Sequence, residues 1–304
     1  MVSPGLKRNA AEFETRLHSL GITVRARRTL SNGLQFELEA EGAVCRVNLY
    51  HSAERGFSVV SSGGDPWLLK QVTGSGGMPS PDVPPGSWTG SDEAGKGDYL
   101  GPLVVCAVYC TSVSAERVVE LGATDSKTLS DRKILTIAGD MKRELGDAQA
   151  AVIIDPREYN RRFREFRMSG RNSLDMLAEA HGRAISTLLQ RGCIPDRIVV
   201  DMFCDERRLK PYLPDTDAFL ELRPHAEDDP AVAAASVIAR ALYLEALYRL
   251  EMELGAVLVP GAGRQTDTAA SELIRLHGPE VLEKCAKIHF RNTLKVLSQD
   301  LTEA

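Results

Sequence analysis

The stretch GSDEAGKGDYLGP, Gly90 to Pro102, sets two adjacent carboxylates, Asp92 and Glu93, directly against a turn in which Lys96 stands between Gly95 and Gly97. The acids close a short β segment that begins at Ser87, and the apolar run LVVCAVYC (103–110) starts just after the turn. Downstream, AAVIID (150–155) and RIVVDMF (197–203) read as further β runs, separated by a helix from about Asn172 to Gly192. A fifth β-like run, AFLELRP, precedes a long helix in which Asp229 is the expected N-cap and Pro230 the first residue. The first turns of that helix are so rich in alanine (231, 233, 234, 235) that another element must pack closely against them. TAASELIRLHGPEVLEKCAKIHF, near the end, reads as two helices broken at Gly278-Pro279. The pattern is a mixed α/β domain.

Upstream of this domain the composition changes. GGDPWLLKQVTGSGGMPSPDVPPGSWTG, residues 63–90, is dominated by Gly, Pro and Ser, which predicts a linker over residues 72–86 between a domain of residues 1–71 and one of residues 87–304. The first domain begins with a helix carrying Phe13, Leu17 and Leu20 at helical spacing. TVRARRTL, LQFELEA and AVCRVNLYHS follow with period-two alternation, predicting a small antiparallel meander whose polar face carries Arg25, Arg27, Arg46 and Asn48.

Bulk properties bound the function without deciding it. Net charge is −5, but residues 1–70 hold nine Lys and Arg against seven Asp and Glu, while the remainder holds 28 against 35. A segment able to contact phosphates attached to a domain that gathers carboxylates would give that asymmetry. Six cysteines without a C-x-x-C pair favour reduced thiols and a cytoplasmic protein over a disulfide or zinc framework. No secretory signal is read at the N-terminus, and no stretch reads as the ~20 apolar residues of a membrane helix.

The carboxylates carry the chemistry. Asp201 ends the buried run RIVV, where an unpaired charge would cost several kcal/mol. HAEDDP (225–230) places three acids before the alanine-rich helix; with Asp229 occupied as a cap, Glu227 and Asp228 remain as candidates. Taken one at a time, each of these acids has an ordinary structural explanation. Together, acids from three separate chain locations with almost no histidine nearby form an oxygen-only set, suited to Mg²⁺ or Mn²⁺ rather than zinc. Two such ions roughly 3.5–4 Å apart can clamp a phosphodiester. His181 and His277 lie on predicted helices, as packed or exposed residues rather than ligands. Phosphate-loop, serine-hydrolase and zincin motifs are missing from the sequence.

GSDEAGKGDYLGPLVV resembles the first signature of the type 2 ribonucleases H, and its Gly-x-Gly-Asp-Tyr-x-Gly-Pro form is similar to the ribonuclease HIII branch. ATDSKTLSD (123–131), AVAAASVIAR (231–240) and AKIHFRNT (286–293) agree with it. The resemblance implies a ribonuclease H-like mixed sheet flanked by helices, preceded by a TATA-binding-protein-like α+β domain. It implies a monomeric endoribonuclease that hydrolyses the RNA strand of RNA/DNA hybrids with two metal ions, leaving 3′-hydroxyl and 5′-phosphate ends. Asp92, Glu93, Asp201 and Glu227 would be the catalytic metal ligands, with Asp228 the alternative fourth acid. His225 stands where the family has lysine, and the interval from Glu227 to Ser236 is one residue short of the family pattern. Gly95, Lys96 and Gly97 would read the ribose 2′-hydroxyl and phosphate, and Ser126 and Lys127 would hold a phosphate; Ser126 also reads as a helix-capping residue. The alternatives are nicking at single ribonucleotides, as in ribonuclease HII, and non-catalytic hybrid binding.

Overall fold

The computed structural model describes residues 4–30, 33–52, 56–73, 86–123 and 129–303. It divides into two compact units, residues 1–83 and 84–304. The first contains α1 (Pro4–Ser19), β1 (Thr23–Thr29), β2 (Gly33–Ala40), β3 (Ala43–Ser52), β4 (Gly56–Gly64) and α2 (Pro66–Thr73). The strands form one antiparallel sheet in sequence order. Leu34, Phe36 and Leu38 alternate onto one face and are buried with Phe13 and Leu17 of α1.

Two expectations change in this unit. The segment from Pro66 is helical beyond the expected boundary at residue 71: Asp65 Oδ1 accepts the amides of Trp67 and Leu68, and Leu68 and Val72 enter the core. Of the expected linker, residues 74–85 lie outside the described residues. Arg27 does not share the open face with Arg46 and Asn48. A bulge between Val24 and Ala26 inserts one residue, so Arg27 pairs with the core-facing Phe36 while Arg28 pairs with Gln35. Arg27 accordingly reaches Glu14 of α1 at 3.1 Å and lies over the Phe36 ring.

The second unit holds a five-stranded sheet of order β7-β6-β5-β8-β9. Its strands are β5 (Ser87–Ala94), β6 (Leu103–Thr111), β7 (Gln149–Ile154), β8 (Arg197–Asp201) and β9 (Phe219–Arg223). β5 runs parallel to β8 and antiparallel to β6, making the sheet mixed. The helices are α3 (Ser112–Glu120), α4 (Asp131–Leu145), α5 (Pro156–Met168), α6 (Ser173–Gln190), α7 (Glu206–Leu209), α8 (Pro230–Leu254), α9 (Arg264–His277), α10 (Leu282–Cys285) and α11 (Arg291–Glu303). α6 covers one face of β6 and β7, and α8 packs on β5 and β6. Gly278-Pro279 does end α9, but residues 286–290 leave the helical path before α11.

The alanine-rich start of α8 has its partner in β5. A Cβ on Gly90 would lie 2.3 Å from the backbone of both Ala231 and Val232, so helix and strand meet there backbone to backbone. Asp229 Oδ1 caps the amides of Ala231 and Val232 and also accepts Trp88 Nε1–H from β5 at 2.9 Å. By length and composition α8 could cross a membrane, more apolar than the sequence reading allowed, yet 67% of its most apolar window is buried inside the unit. It is the core helix. Gly90→Ala should lower the stability of this unit by about 1–3 kcal/mol, the range for overpacking a filled interior, as read by urea unfolding.

Candidate active site

β5 and β8 are neighbours, and both end at the same edge of the sheet. Asp92 and Glu93 therefore lie beside Asp201, the last residue of β8, and β9 leads from the same edge into a 3₁₀ turn at Ala226–Asp228. The amide of Ala226 donates to Asp201 Oδ1 at 3.0 Å, tying this turn to the end of β8. Within it, Glu227 is half-buried, whereas Asp228 is exposed and paired with Arg223 at 2.6 Å. The fold thus brings Asp92, Glu93, Asp201 and the 227–228 acids to one end of the sheet.

The two acids of β5 have different surroundings, because neighbouring side chains on a strand leave opposite faces. Asp92 is buried, accepts the Glu93 amide at 2.8 Å and is hydrogen-bonded by the Ser236 side chain. Burial, with the charges of Glu93 and Asp201, pushes its carboxyl up to about 7. For Glu93, burial also acts upward, but His181 and Lys96 outweigh it and hold the carboxyl below its ordinary value. Lys96 Nζ lies 3.0 Å from one oxygen and His181 Nε2 3.3 Å from the other. His181 is buried on α6 and stacked on Phe203, with Nδ1 2.7 Å from Ser91 Oγ. Ser91 Oγ also lies 2.9 Å from Cys106 O. His181 is packed, as expected, but it also fixes the rotamer of Glu93. Only its place on the buried face of a helix signalled that from sequence.

Among the described residues, neither Asp92 nor Asp201 has a lysine, arginine or histidine within ion-pair distance. No three acids, histidines or cysteines among them are arranged as a ready-made metal cluster. The donor chemistry nevertheless fits a divalent cation. A carboxylate buried without a counter-charge is unfavourable, and an oxygen-binding cation removes that cost.

The turn after Glu93 is held on its inner side. Gly95 has φ +84°, and a Cβ there would meet Pro102 O at 2.2 Å, so the fold itself requires this glycine. Gly97 differs: its φ is not positive and an added Cβ meets nothing within 4 Å. The amides of Lys96 and Gly97 make no hydrogen bond among the described residues. Lys96, read from sequence mainly for its backbone, also carries a side chain engaged with Glu93. Ser126 and Lys127 lie outside the described residues.

The raised Asp92 carboxyl has a measurable consequence. The folded chain keeps a proton there that the unfolded chain releases, so stability falls as pH rises from 3.8 to about 7. In EDTA at pH 8, Asp92→Asn should melt a few degrees above the parent, and the gain should fade as pH falls below about 4, read by calorimetry.

Comparison with known proteins agrees with this architecture. The family model described as Ribonuclease HII matches residues 89–293. Ribonuclease HIII of Geobacillus sp. (strain WCH70) is 35% identical over 236 residues, 75% of this chain and 76% of that one. Ribonuclease HIII of Streptococcus pneumoniae (strain CGSP14) is 39% identical over 211 residues, 68% of this chain and 71% of that one. The crystal structure of Bst-RNase HIII in complex with Mn²⁺ superposes with a TM-score of 0.66 at 30% identity, covering 95% of this chain and 96% of that one. RNase H3 of Aquifex aeolicus shares the fold, with a TM-score of 0.52 at 24% identity and 95% and 98% coverage. The chain belongs to the type 2 ribonucleases H, in the ribonuclease HIII branch, and is an endoribonuclease acting on RNA/DNA hybrids.

Proposed function

We propose that this chain cleaves the RNA strand of a hybrid with Asp92, Glu93, Asp201 and Glu227 as ligands for two divalent cations, Mg²⁺ or Mn²⁺, leaving 3′-hydroxyl and 5′-phosphate ends. The observation that carries this reading is the pair of carboxylates, Asp92 and Asp201, that close adjacent parallel strands without a cationic partner among the described residues. The Mn²⁺ complex of Bst-RNase HIII supports divalent-cation binding. When bound, the cations supply an activated water and stabilise the leaving oxygen. The chain's own residues arrange the rest. His181 orients Glu93, and Ser236 bonds Asp92 beside it. Asp228 is turned out to Arg223, which leaves Glu227 as the fourth acid.

Strand selection is assigned to the turn at Gly95–Gly97. Distinguishing RNA requires contact with the 2′-hydroxyl, a group that both donates and accepts. Nothing in the fold requires glycine at 97, whereas close approach of a sugar to bare backbone does. For the N-terminal unit we propose a gripping role through the open sheet face, where Arg28, Gln35 and Asn48 lie in register and Arg46 stands two residues along β3, opposite Glu37. Arg46 is paired with Glu37 at 3.6 Å and Asn48 with Gln35, so phosphates would compete for groups already engaged. Six unpaired cysteines support a reducing, cytoplasmic setting.

Asp201→Asn should lower hybrid cleavage at least about 10³-fold, the equivalent of about 4 kcal/mol, while hybrid affinity is retained. A variant that cuts at near parental rate would remove Asp201 from the site. Glu227→Gln should be as inactive, with Asp228→Asn close to parental; the reverse order would make Asp228 the fourth acid. Removing residues 1–83 should raise the KM for hybrid by about tenfold or more with kcat little changed, measured by steady-state kinetics.

A further inference from the structure

Lys287 is fully buried, and the chemistry proposed above does not use it. It sits in the irregular segment before α11, and its side chain reaches the underside of the glycine turn. Nζ donates to the carbonyls of Asp98 at 2.8 Å and Gly101 at 2.7 Å, while its own amide donates to Tyr99 O at 2.8 Å. Tyr243 O–H donates to the carbonyl between them, Leu100 O, at 3.1 Å. Four successive carbonyls, 98 to 101, are thus drawn into the protein, three of them by one lysine.

The same segment grips the turn elsewhere. Gly101 N–H donates to Cys285 O, and the Tyr99 hydroxyl lies 2.9 Å from Thr293 Oγ1. Asn160 holds the segment in turn, donating to Ala286 O and accepting from Ile288 N–H. A lysine is an expensive residue to bury, and an apolar side chain would fill the space as well. What the lysine supplies is two N–H bonds at a fixed distance. Burial pushes its ammonium down to about 7 against the pull of Asp98, and the neutral amine still has two hydrogens for its two carbonyls. The clamp therefore survives in either protonation state.

We propose that Lys287 is a positioning residue for strand selection. By fixing the carbonyls of Asp98 and Gly101, it holds the Gly95–Gly97 turn in the conformation that leaves the amides of Lys96 and Gly97 open to a ribose. This rests on the reading of that turn as the sugar-recognising element. It adds that discrimination depends on a residue nearly two hundred positions away in sequence, acting through backbone alone.

The test compares the full-length parent, Lys287→Met and Gly97→Ala. The readout is selectivity: the inhibition constant of an all-DNA duplex divided by the KM for the RNA/DNA hybrid of the same sequence. Circular dichroism and the urea midpoint establish folding. Both variants should lower this ratio about tenfold, because small displacements of a recognition element are magnified in binding and rate. A merely structural role would reduce kcat or the unfolding midpoint and leave the ratio alone, and that result would overturn the proposal. If Gly97→Ala lowers the ratio but folded Lys287→Met does not, the turn reads the sugar and Lys287 does not position it. If Gly97→Ala leaves the ratio unchanged, the reading of the turn fails and the proposal falls with it. Should Lys287→Met not fold, Thr293→Val decides instead. It removes only the Tyr99 bond from the same clamp; a ratio lowered about threefold supports the proposal and an unchanged ratio overturns it.

Discussion

The backbone contact between Gly90 and the first turn of α8 is the constraint on which the catalytic unit depends. α8 can lie against β5 only because the strand has no side chain at residue 90 and the helix begins with alanines. The approach places the helix start two residues along the strand from Asp92, and Ser236, one and a half turns into α8, then bonds the Asp92 carboxyl. Trp88 locks the junction by giving its indole N–H to the helix cap Asp229, which Arg197 of β8 also pairs at 3.2 Å. One close contact therefore sets the distance between two of the three chain regions that supply acids, β5 and the turn before α8.

Charge is distributed unevenly at this junction. Glu93 lies between Lys96 and His181, which hold its carboxyl below the ordinary value, whereas Asp92 and Asp201 are held by neutral donors, the Glu93 amide and Ser236 for one and the Ala226 amide for the other. A structure selected for stability alone would place a cation between two such carboxylates or replace one of them. With the function proposed above, the folded chain keeps that cost and a bound cation would relieve it, so the local instability would become binding energy for the ion.

Much of this was legible because the signals are local. Asp229 and Pro230 announce the start of α8, the apolar runs announce the strands, and the alanines announce a close neighbour without naming it. What was not legible depends on geometry that the alternating pattern cannot carry. A single bulged residue in β1 moves Arg27 to the helix-covered side and Arg28 to the open one, reversing the reading of RARR. Leu68 and Val72 lie in a stretch whose glycines and prolines read as linker, although Asp65 caps a helix there. His181 reads as an ordinary packed or exposed helix residue, and Lys287 stands inside AKIHFRNT without a role of its own. Their roles come from partners 88 and 186 to 189 residues away, beyond any spacing rule.

The run Glu227-Asp228-Asp229 shows how the fold divides one chemistry into separate tasks. A 3₁₀ turn advances about 120° per residue, so three consecutive side chains leave it in three directions. Asp229 turns inward as the helix cap and indole acceptor, buried to 4% exposure. Asp228 turns outward to Arg223. Glu227 takes the remaining direction and is half-buried, immediately after the residue whose amide holds Asp201. The turn is entered through His225 in the left-handed region, φ +56°, which tightens the path from β9 into α8.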